Sequence, residues 1–307
     1  MPCAWITHRD CQLHEMGPGH PECPERLDAI SDHLLAQGLM SLMIPYDAPE
    51  ATVEQLERAH TARHVTEILA ASPSRGYVHV DPDTAMNPHS VQAALRSAGA
   101  AVLATDLVLK GEVRSAFCSV RPPGHHATRD APMGFCFFNN VAVGIRHALD
   151  VHGLERVALI DFDVHHGNGS EDILASDPRV LMASTFQRGL YPFQGDEPKG
   201  LNMVNVGLPS GAGGSEFRAA VQDYWMPALE VFQPQLIYIS AGFDAHHADD
   251  MAGLRFQDSD YAWVTAELVK VAHRHCSGRV ISVLEGGYHL HALARSVAAH
   301  VRELISA

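Results

Sequence analysis

The sequence predicts an α/β fold with a mainly parallel central sheet and helices on both faces, and three observations carry that expectation. Short apolar runs, partly β-branched, recur at Ala116–Val120, Val157–Ile160, Leu236–Ser240 and Val280–Leu284, and their length and composition are those of buried strands. Helical patterns alternate with them at Pro24–Gln37, His89–Leu109, Asn140–Val151, Glu216–Phe232, Asp260–His275 and Leu290–Ile305, an order typical of parallel sheets. Each of the four strands also runs directly into residues that carry chemistry, and in such sheets ligands bind beyond the strands' carboxyl ends.

A chain of 307 residues with 46% apolar content can bury a sizeable core. No Ser/Gly linker, repeat or low-complexity tract divides it, so residues 1–307 are expected to form a single domain. The formal net charge of −14 argues against a nucleic-acid partner and suits a cationic substrate. Residues 1–15 lack an apolar signal core, and the longest apolar segment is broken by Arg96 and Asp106, so no membrane association and a cytoplasmic location are expected. Six cysteines without a Cys-x-x-Cys pair are expected to remain thiols.

In chain order, His8, Cys11, His14, His20 and Cys23 offer potential ligands, but their spacing fits no zinc-finger pattern. The helix at Pro24–Gln37 aligns Leu27, Ile30, Leu34 and Leu35 and is stopped by Gly38; on pattern alone its Arg26 is a surface residue. Thr52-Val53-Glu54-Gln55 is a capping box. The strand from Ala116 enters Arg121-Pro122-Pro123-Gly124-His125-His126-Ala127, where paired prolines forbid continued strand or helix and stiffen a loop bearing adjacent histidines. Such a pair suits proton transfer.

The strand at Val157 leads into Asp161-Phe162-Asp163-Val164-His165-His166-Gly167-Asn168-Gly169, and Asp161, Asp163 and His165 share one face if the extended conformation persists. Two carboxylates there repel and desolvate badly unless a cation, a histidine or a hydrogen-bond network offsets them. A metal is the simplest resolution; by itself the segment also reads as a solvated acidic turn. The strand at Leu236 ends in Ala241-Gly242-Phe243-Asp244, and the strand at Val280 ends in Glu285-Gly286-Gly287-Tyr288, whose glycines permit a sharp turn presenting the phenol.

In this order, Arg-Pro-Pro-Gly-His-His-Ala, Asp-x-Asp-x-His-His-Gly-Asn-Gly, Ser-Ala-Gly-Phe-Asp-Ala and Glu-Gly-Gly-Tyr resemble the zinc-dependent histone deacetylase family and its bacterial deacetylase-like amidohydrolases. The resemblance covers nearly the whole chain, because His20-Pro21-Glu22-Cys23-Pro24-Glu25-Arg26-Leu27 is similar to the family's first loop. Asn168, where one major branch has Asp, and Phe243 before Asp244 resemble the class II-like side. The resemblance implies the arginase–deacetylase fold in one catalytic domain. It also implies removal of acetyl or other acyl groups from lysine side chains, with acetylpolyamines or another small acylated amine as the alternative substrate. It places the first loop at the rim of the site and Arg26 beneath it.

A catalytic zinc has three protein ligands and an open position, and Asp163, His165 and Asp244 supply the three. The ion would activate a water against the amide. One of His125 and His126 would take that water's proton and later protonate the leaving amine. By resemblance Asp161 orients His125 and Asn168 orients His126, which makes His126 the leading general base and acid. Tyr288 would donate to the oxyanion. The resemblance further implies a structural potassium at Asp161, Asp163, His165, Ser184 and Thr185.

For the substrate channel it implies walls from Gly134-Phe135 and from Tyr191, with the loop at 187–199 differing from the family in length and Phe186 standing where relatives often have His. Polyamine-selective members carry Glu seven positions after the last zinc-binding Asp. This chain has Met251 there, which favours acyl-lysine, although Asp249 and Asp250 adjoin it. His166, His246 and His247 are expected at the surface or behind the site. An arginase-like second metal would need an Asp-x-Asp pattern, and Asp244-Ala245-His246 lacks it. A silent binding protein would lack a functional residue, and none is missing. Acyl length, oligomeric state and the choice between zinc and iron(II) stay open.

Overall fold

The structure is a computed structural model that describes residues 2–307. Its strands are β1 (Cys3–Thr7), β2 (Met43–Asp47), β3 (Val78–Asp81), β4 (Thr84–Met86), β5 (Ser115–Cys118), β6 (Val157–Asp161), β7 (Val180–Gln187), β8 (Met203–Leu208), β9 (Leu236–Ala241) and β10 (Val280–Leu284). Eight of them form one sheet in the order β2-β1-β5-β10-β9-β6-β7-β8, while β3 and β4 make a separate antiparallel hairpin. Every neighbouring pair in the large sheet is parallel.

The four strands legible in the sequence are consecutive at the sheet's centre: β5, β10, β9 and β6. All of their residues are buried, and strands covered on both faces read as unbroken apolar runs. The two edges look different. In β2 the residues Ile44, Pro45 and Asp47 are exposed, and Pro45 is tolerated because an edge strand has ladder positions without partners.

Cross-strand register shows how both faces are covered. Tyr238 lies opposite Ile281, so Tyr238 and the next residue of β10, Ser282, point to opposite faces. Tyr238 meets Thr105 of the helix Ser90–Leu109 and lies so close to Gly144 of the helix Asn140–Asp150 that a Cβ there would overlap its hydroxyl. Ser282 meets His300 of the helix Leu290–Ile305, which packs with the helices Asp258–His275 and Glu25–Ala36.

Most expected helices stand within about two residues of their sequence bounds. Two expectations are corrected. Leu35 is 69% exposed and does not join the buried face of Leu27, Ile30 and Leu34. The segment expected as one helix over 216–232 runs as Gly214–Ala220, a π turn at Val221–Trp225, then Met226–Phe232. Pro227 lacks the amide proton that a continuous α ladder needs, and the wider turn lies immediately before it. Thr52 forms the expected capping box with Gln55. Among the described residues no helix is long and apolar enough to cross a membrane.

Two buried histidines make stability depend on pH. Thr265 spends its hydroxyl proton on the Tyr261 carbonyl, so it accepts from His300 Nδ1 at 2.6 Å and leaves Nε2 to accept from Ser282 at 2.8 Å. His60 is fixed in the same tautomer, donating from Nδ1 to the Thr128 carbonyl and accepting the Asn139 amide at Nε2. Burial pushes each ring down to about 3. An unfolded histidine takes up its proton near 6.5, so between those values the unfolded chain binds more protons. Stability is therefore full above the unfolded value and falls as pH drops through this window, by up to about 1.4 kcal/mol per pH unit for each ring. The thermal midpoint is expected to fall between pH 7 and pH 5, and to fall less in His300→Asn than in the parent. Equal falls would reject the assignment for His300.

Candidate active site

The site begins with an ion cluster under the first loop. Arg121 leaves β5 fully buried and bonds to both oxygens of Glu22, with Nη2 at 2.6 Å from Oε2, and also donates to the Cys11 and His14 carbonyls. Burial would raise the Glu22 carboxyl, but Arg121, His14 and Arg26 hold it well below the usual range. Arg26 is not a surface residue. It is fully buried, donates to the Gly287 carbonyl at 2.7 Å and the Glu285 carbonyl at 2.5 Å, and places its guanidinium 5.0 Å from the Tyr288 ring centroid. The expectation that Arg26 sits beneath the site matches this geometry.

Glu285, at the end of β10, fixes the histidine loop. Its Oε2 accepts the amides of Gly124 (2.7 Å) and His125 (3.1 Å), and its Oε1 accepts the Ser240 hydroxyl at 3.2 Å. Burial raises this carboxyl to about 7. The two rings that the loop presents are held differently. His125 Nδ1 lies 3.0 Å from Asp161 Oδ2, whereas His126 Nδ1 lies 2.8 Å from Asn168 Oδ1. Burial opposes charge on His125, yet Asp163 and Asp161 together raise it to about 10. Burial, then His125 and His165, push His126 well below its ordinary value. An amide oxygen accepts only, so His126 donates from Nδ1 and its Nε2 carries a free lone pair.

The strand carrying Asp161 ends at that residue, so Asp163 and His165 do not continue its face as the sequence suggested. Instead each carboxylate accepts the amide two residues on, Asp163 N to Asp161 Oδ1 at 3.1 Å and His165 N to Asp163 Oδ1 at 2.9 Å. These local turns replace the ladder and gather the side chains. Ligand atoms of Asp163, His165 and Asp244 lie within 4.8 Å of one another, all buried. Asp244 Oδ1 accepts the Val164 amide at 3.0 Å, while Oδ2 receives no hydrogen bond although His165 Nδ1 is 3.2 Å away. Burial and then Asp163 raise Asp244 to about 6. At Gly242 a Cβ would overlap the Asp163 carboxylate, and at Gly286 one would overlap Asp244, so the backbone closes round these groups where a side chain would not fit. An unpartnered buried carboxylate oxygen beside a second carboxylate and an imidazole fits a divalent ion.

Beside them, the hydroxyls of Ser184 and Thr185 are buried without partners, and Ser184 lies opposite Asp161 across β6 and β7. As neighbours in one strand the two hydroxyls point to opposite faces, so only the Ser184 oxygen shares the face of Asp161 and fits a hard cation beside it. A further convergent group, Asp106, His147 and His152, does not fit one. Both Nε2 atoms contact the same Asp106 oxygen, at 2.9 and 2.7 Å, and Arg58 stands 3.3 Å from His147 Nδ1. A guanidinium only donates, so Nδ1 accepts and Nε2 carries the proton, with no lone pair left for a metal.

Above the cluster is a cavity of about 250 Å³ lined by His125, His126, His165 and Tyr288 together with Gly134, Phe135, Tyr191 and Met251, the four expected wall residues. A wider groove of about 470 Å³ beside residues 15–25 holds none of these convergent groups. Gly134 and Phe135 both have left-handed backbones, with φ of 58° and 68°. The Asp83 carboxylate and the Thr84 hydroxyl hold them, accepting the amides of Gly134 and Phe135 at 3.2 and 3.0 Å. Sequence reasoning missed Asp83 and Thr84; the Asp81-Pro82-Asp83 turn signal marks the hairpin but not what it supports.

His20 meets Phe135 edge-on at 4.7 Å, which puts the first loop at the rim. In that loop Cys11 and His14 are buried, His14 bonded to Ser90 at 2.7 Å, and no metal-type cluster forms there among the described residues. His166 and His246 are buried against Glu171 and Asp258, while His247 is exposed.

Residues 20–304 match the histone deacetylase domain family. The chain belongs to the histone deacetylase family. It is 40% identical over 88% of its length to the histone deacetylase-like amidohydrolase of Pseudomonas aeruginosa, of which it covers 73%. It is 35% identical to human polyamine deacetylase HDAC10 over 99% of its length, spanning 48% of that protein, and 34% identical to type-2 histone deacetylase 2 of Dictyostelium discoideum, of which it spans 20%. A crystal structure of the HDA15 HD domain superposes over 99% of this chain and 88% of its own, with a TM-score of 0.93 and 32% identity. The sheet and helices described above are accordingly the arginase–deacetylase α/β fold. As a histone deacetylase family member the chain is a hydrolase acting on amide bonds.

Proposed function

We propose that this deacetylase uses one zinc ion, held by Asp163, His165 and Asp244, to remove acetyl or other acyl groups from lysine side chains. The observation that carries the reading is the unpartnered oxygen of Asp244, clustered with Asp163 and with His165, which lines the aromatic-walled cavity together with His125 and His126. When bound, such an ion polarises an amide carbonyl and brings a water's pKa toward neutrality. In this reading His126 Nε2 accepts the proton from the attacking water and returns it to the leaving amine nitrogen. Asn168 fixes the tautomer that makes this possible, and Asp161 orients His125 beside it. Tyr288 donates its hydroxyl to the developing oxyanion. Phe135 and Tyr191 flank the acyl-lysine stem and exclude water.

We further assign a potassium ion to Asp161, Asp163, His165, Ser184 and Thr185, supported by the unpartnered Ser184 hydroxyl opposite Asp161. The chain is read as a single catalytic domain, with one eight-stranded central sheet and one continuous hydrophobic cluster in support. Six free thiols support a reducing, cytoplasmic setting.

Met251 at the cavity favours acyl-lysine over a cationic acetylpolyamine, because a thioether offers an ammonium no charge partner. Amine release from acetyl-lysine peptide, a longer-acyl-lysine peptide and acetylputrescine tests this. Peptide turnover is expected to lead, and Met251→Glu is expected to raise the relative rate on acetylputrescine by about tenfold. A parent protein that prefers acetylputrescine would overturn the lysine assignment.

A further inference from the structure

The Glu-Gly-Gly-Tyr turn is anchored as far as its glycines: the Gly286 amide donates to Asp163 Oδ2 at 2.9 Å, its carbonyl accepts the Phe243 amide at 3.0 Å, and the Gly287 carbonyl accepts from Arg26 Nε at 2.7 Å. Gly287 has φ of 118°, a conformation that suits glycine, and two consecutive glycines give the segment wide conformational freedom. Where the phenol points therefore depends on what grips the backbone at Tyr288. That grip comes from a residue outside the proposed acid–base and metal groups. Asp249 is 5% exposed, and its Oδ2 accepts the amides of Tyr288 at 2.6 Å and His289 at 2.9 Å. Its Oδ1 accepts the Met251 amide at 3.1 Å. No cationic side chain pairs with it among the described residues. Its charge is met by three backbone amides and by the amino-terminal end of the helix Leu290–Ile305, which His289 caps. A carboxylate taken out of water on those terms orders whatever supplies the amides.

Its position in the chain gives that ordering a purpose. Asp249 lies in the short segment between Asp244, a proposed metal ligand, and Met251, a cavity wall. One side chain thus ties the segment that carries a ligand and a wall to the turn that carries the phenol. Arg26 holds the Glu285 and Gly287 carbonyls and lies below the Tyr288 ring, and Phe135 meets the ring's edge with centroids 6.0 Å apart, but neither bonds the Tyr288 and His289 amides that Asp249 takes.

We propose that Asp249 is the positioning residue for Tyr288, locking the Gly-Gly-Tyr turn so that the hydroxyl meets the developing oxyanion. This rests on the reading of Tyr288 as the oxyanion donor. It predicts a specific pattern in Asp249→Asn, which has nearly the same shape but one acceptor oxygen for three amides. On acetyl-lysine peptide, kcat is expected to fall by about tenfold to a hundredfold with KM changed less than about threefold, because the donor is misplaced and not removed. In a Tyr288→Phe background the same change is expected to cost less than about twofold, since no hydroxyl is left to misplace. Metal content is expected to match the parent.

Hydrogen exchange supplies a readout independent of turnover. In the parent the Tyr288 and His289 amides are expected to be protected, and in Asp249→Asn to exchange about tenfold faster or more. Equal losses of kcat in both backgrounds, or unchanged protection in the variant, would overturn the proposal. Fast exchange of these two amides in the parent would overturn it without any variant, which covers the case of Asp249→Asn failing to fold. If Tyr288→Phe alone keeps full kcat, the oxyanion reading fails instead, and exchange still decides whether Asp249 holds the turn.

Discussion

His126→Ala is expected to lower kcat on acetyl-lysine peptide by about 10²–10⁴-fold while leaving the metal content and the fold intact. The ring is neutral because burial and two neighbouring imidazoles disfavour a proton on it, and its only bonded nitrogen is committed to Asn168. Its other nitrogen is a base facing the cavity. No nearby group can replace it, because His125 is engaged by Asp161 on one nitrogen and lies 3.8 Å from Asp163 on the other. Steady-state kinetics on peptide, with metal analysis of the same preparation, checks the expectation. A loss below about fivefold would move the proton-transfer role to His125 or to solvent.

Asp244→Ala is expected to reduce bound metal from about one ion per chain to under about a tenth after dialysis, with activity lost in proportion. It removes an oxygen that nothing else in the fold uses, and it leaves one carboxylate and one imidazole. The same carboxylate also accepts the Val164 amide, so alanine disturbs the backbone as well. Asp244→Asn, which keeps an acceptor there, separates the two effects. Elemental analysis decides: an alanine variant that retains a full equivalent of metal would mean that Asp244 is not a ligand.

Why some of this was visible in the sequence and some was not follows from where each residue sits. β5, β6, β9 and β10 were legible because burial on both faces leaves no polar interruption. The outer strands carry mixed patterns; β2 has a proline and exposed residues, and four of the six residues of β8 are only partly buried. Asp163, His165 and Asp244 could be named from position and chemistry, but their convergence depends on Asx turns that a strand periodicity hides. Asp83, Thr84 and Asp249 act through backbone amides of distant residues, and amide partners leave no mark in a sequence. Arg26 looked exposed because its helix pattern is amphipathic, yet its partners are carbonyls some 260 residues away, at 285 and 287.

The adjacency of β5, β10, β9 and β6 separates two properties of the enzyme that engineering usually finds entangled. Neighbouring strands are held about 4.8 Å apart by their hydrogen-bond ladder, so the loops that carry the reacting groups start from points whose spacing the sheet sets. The walls are mounted elsewhere: Gly134 and Phe135 hang from a hairpin turn, Tyr191 from the loop after β7, and Met251 from the segment after Asp244. Substitution at Phe135 or Tyr191 can therefore redraw the range of acyl groups admitted while the strands keep their spacing, whereas the Met251 segment is tied through Asp249 to the Tyr288 turn.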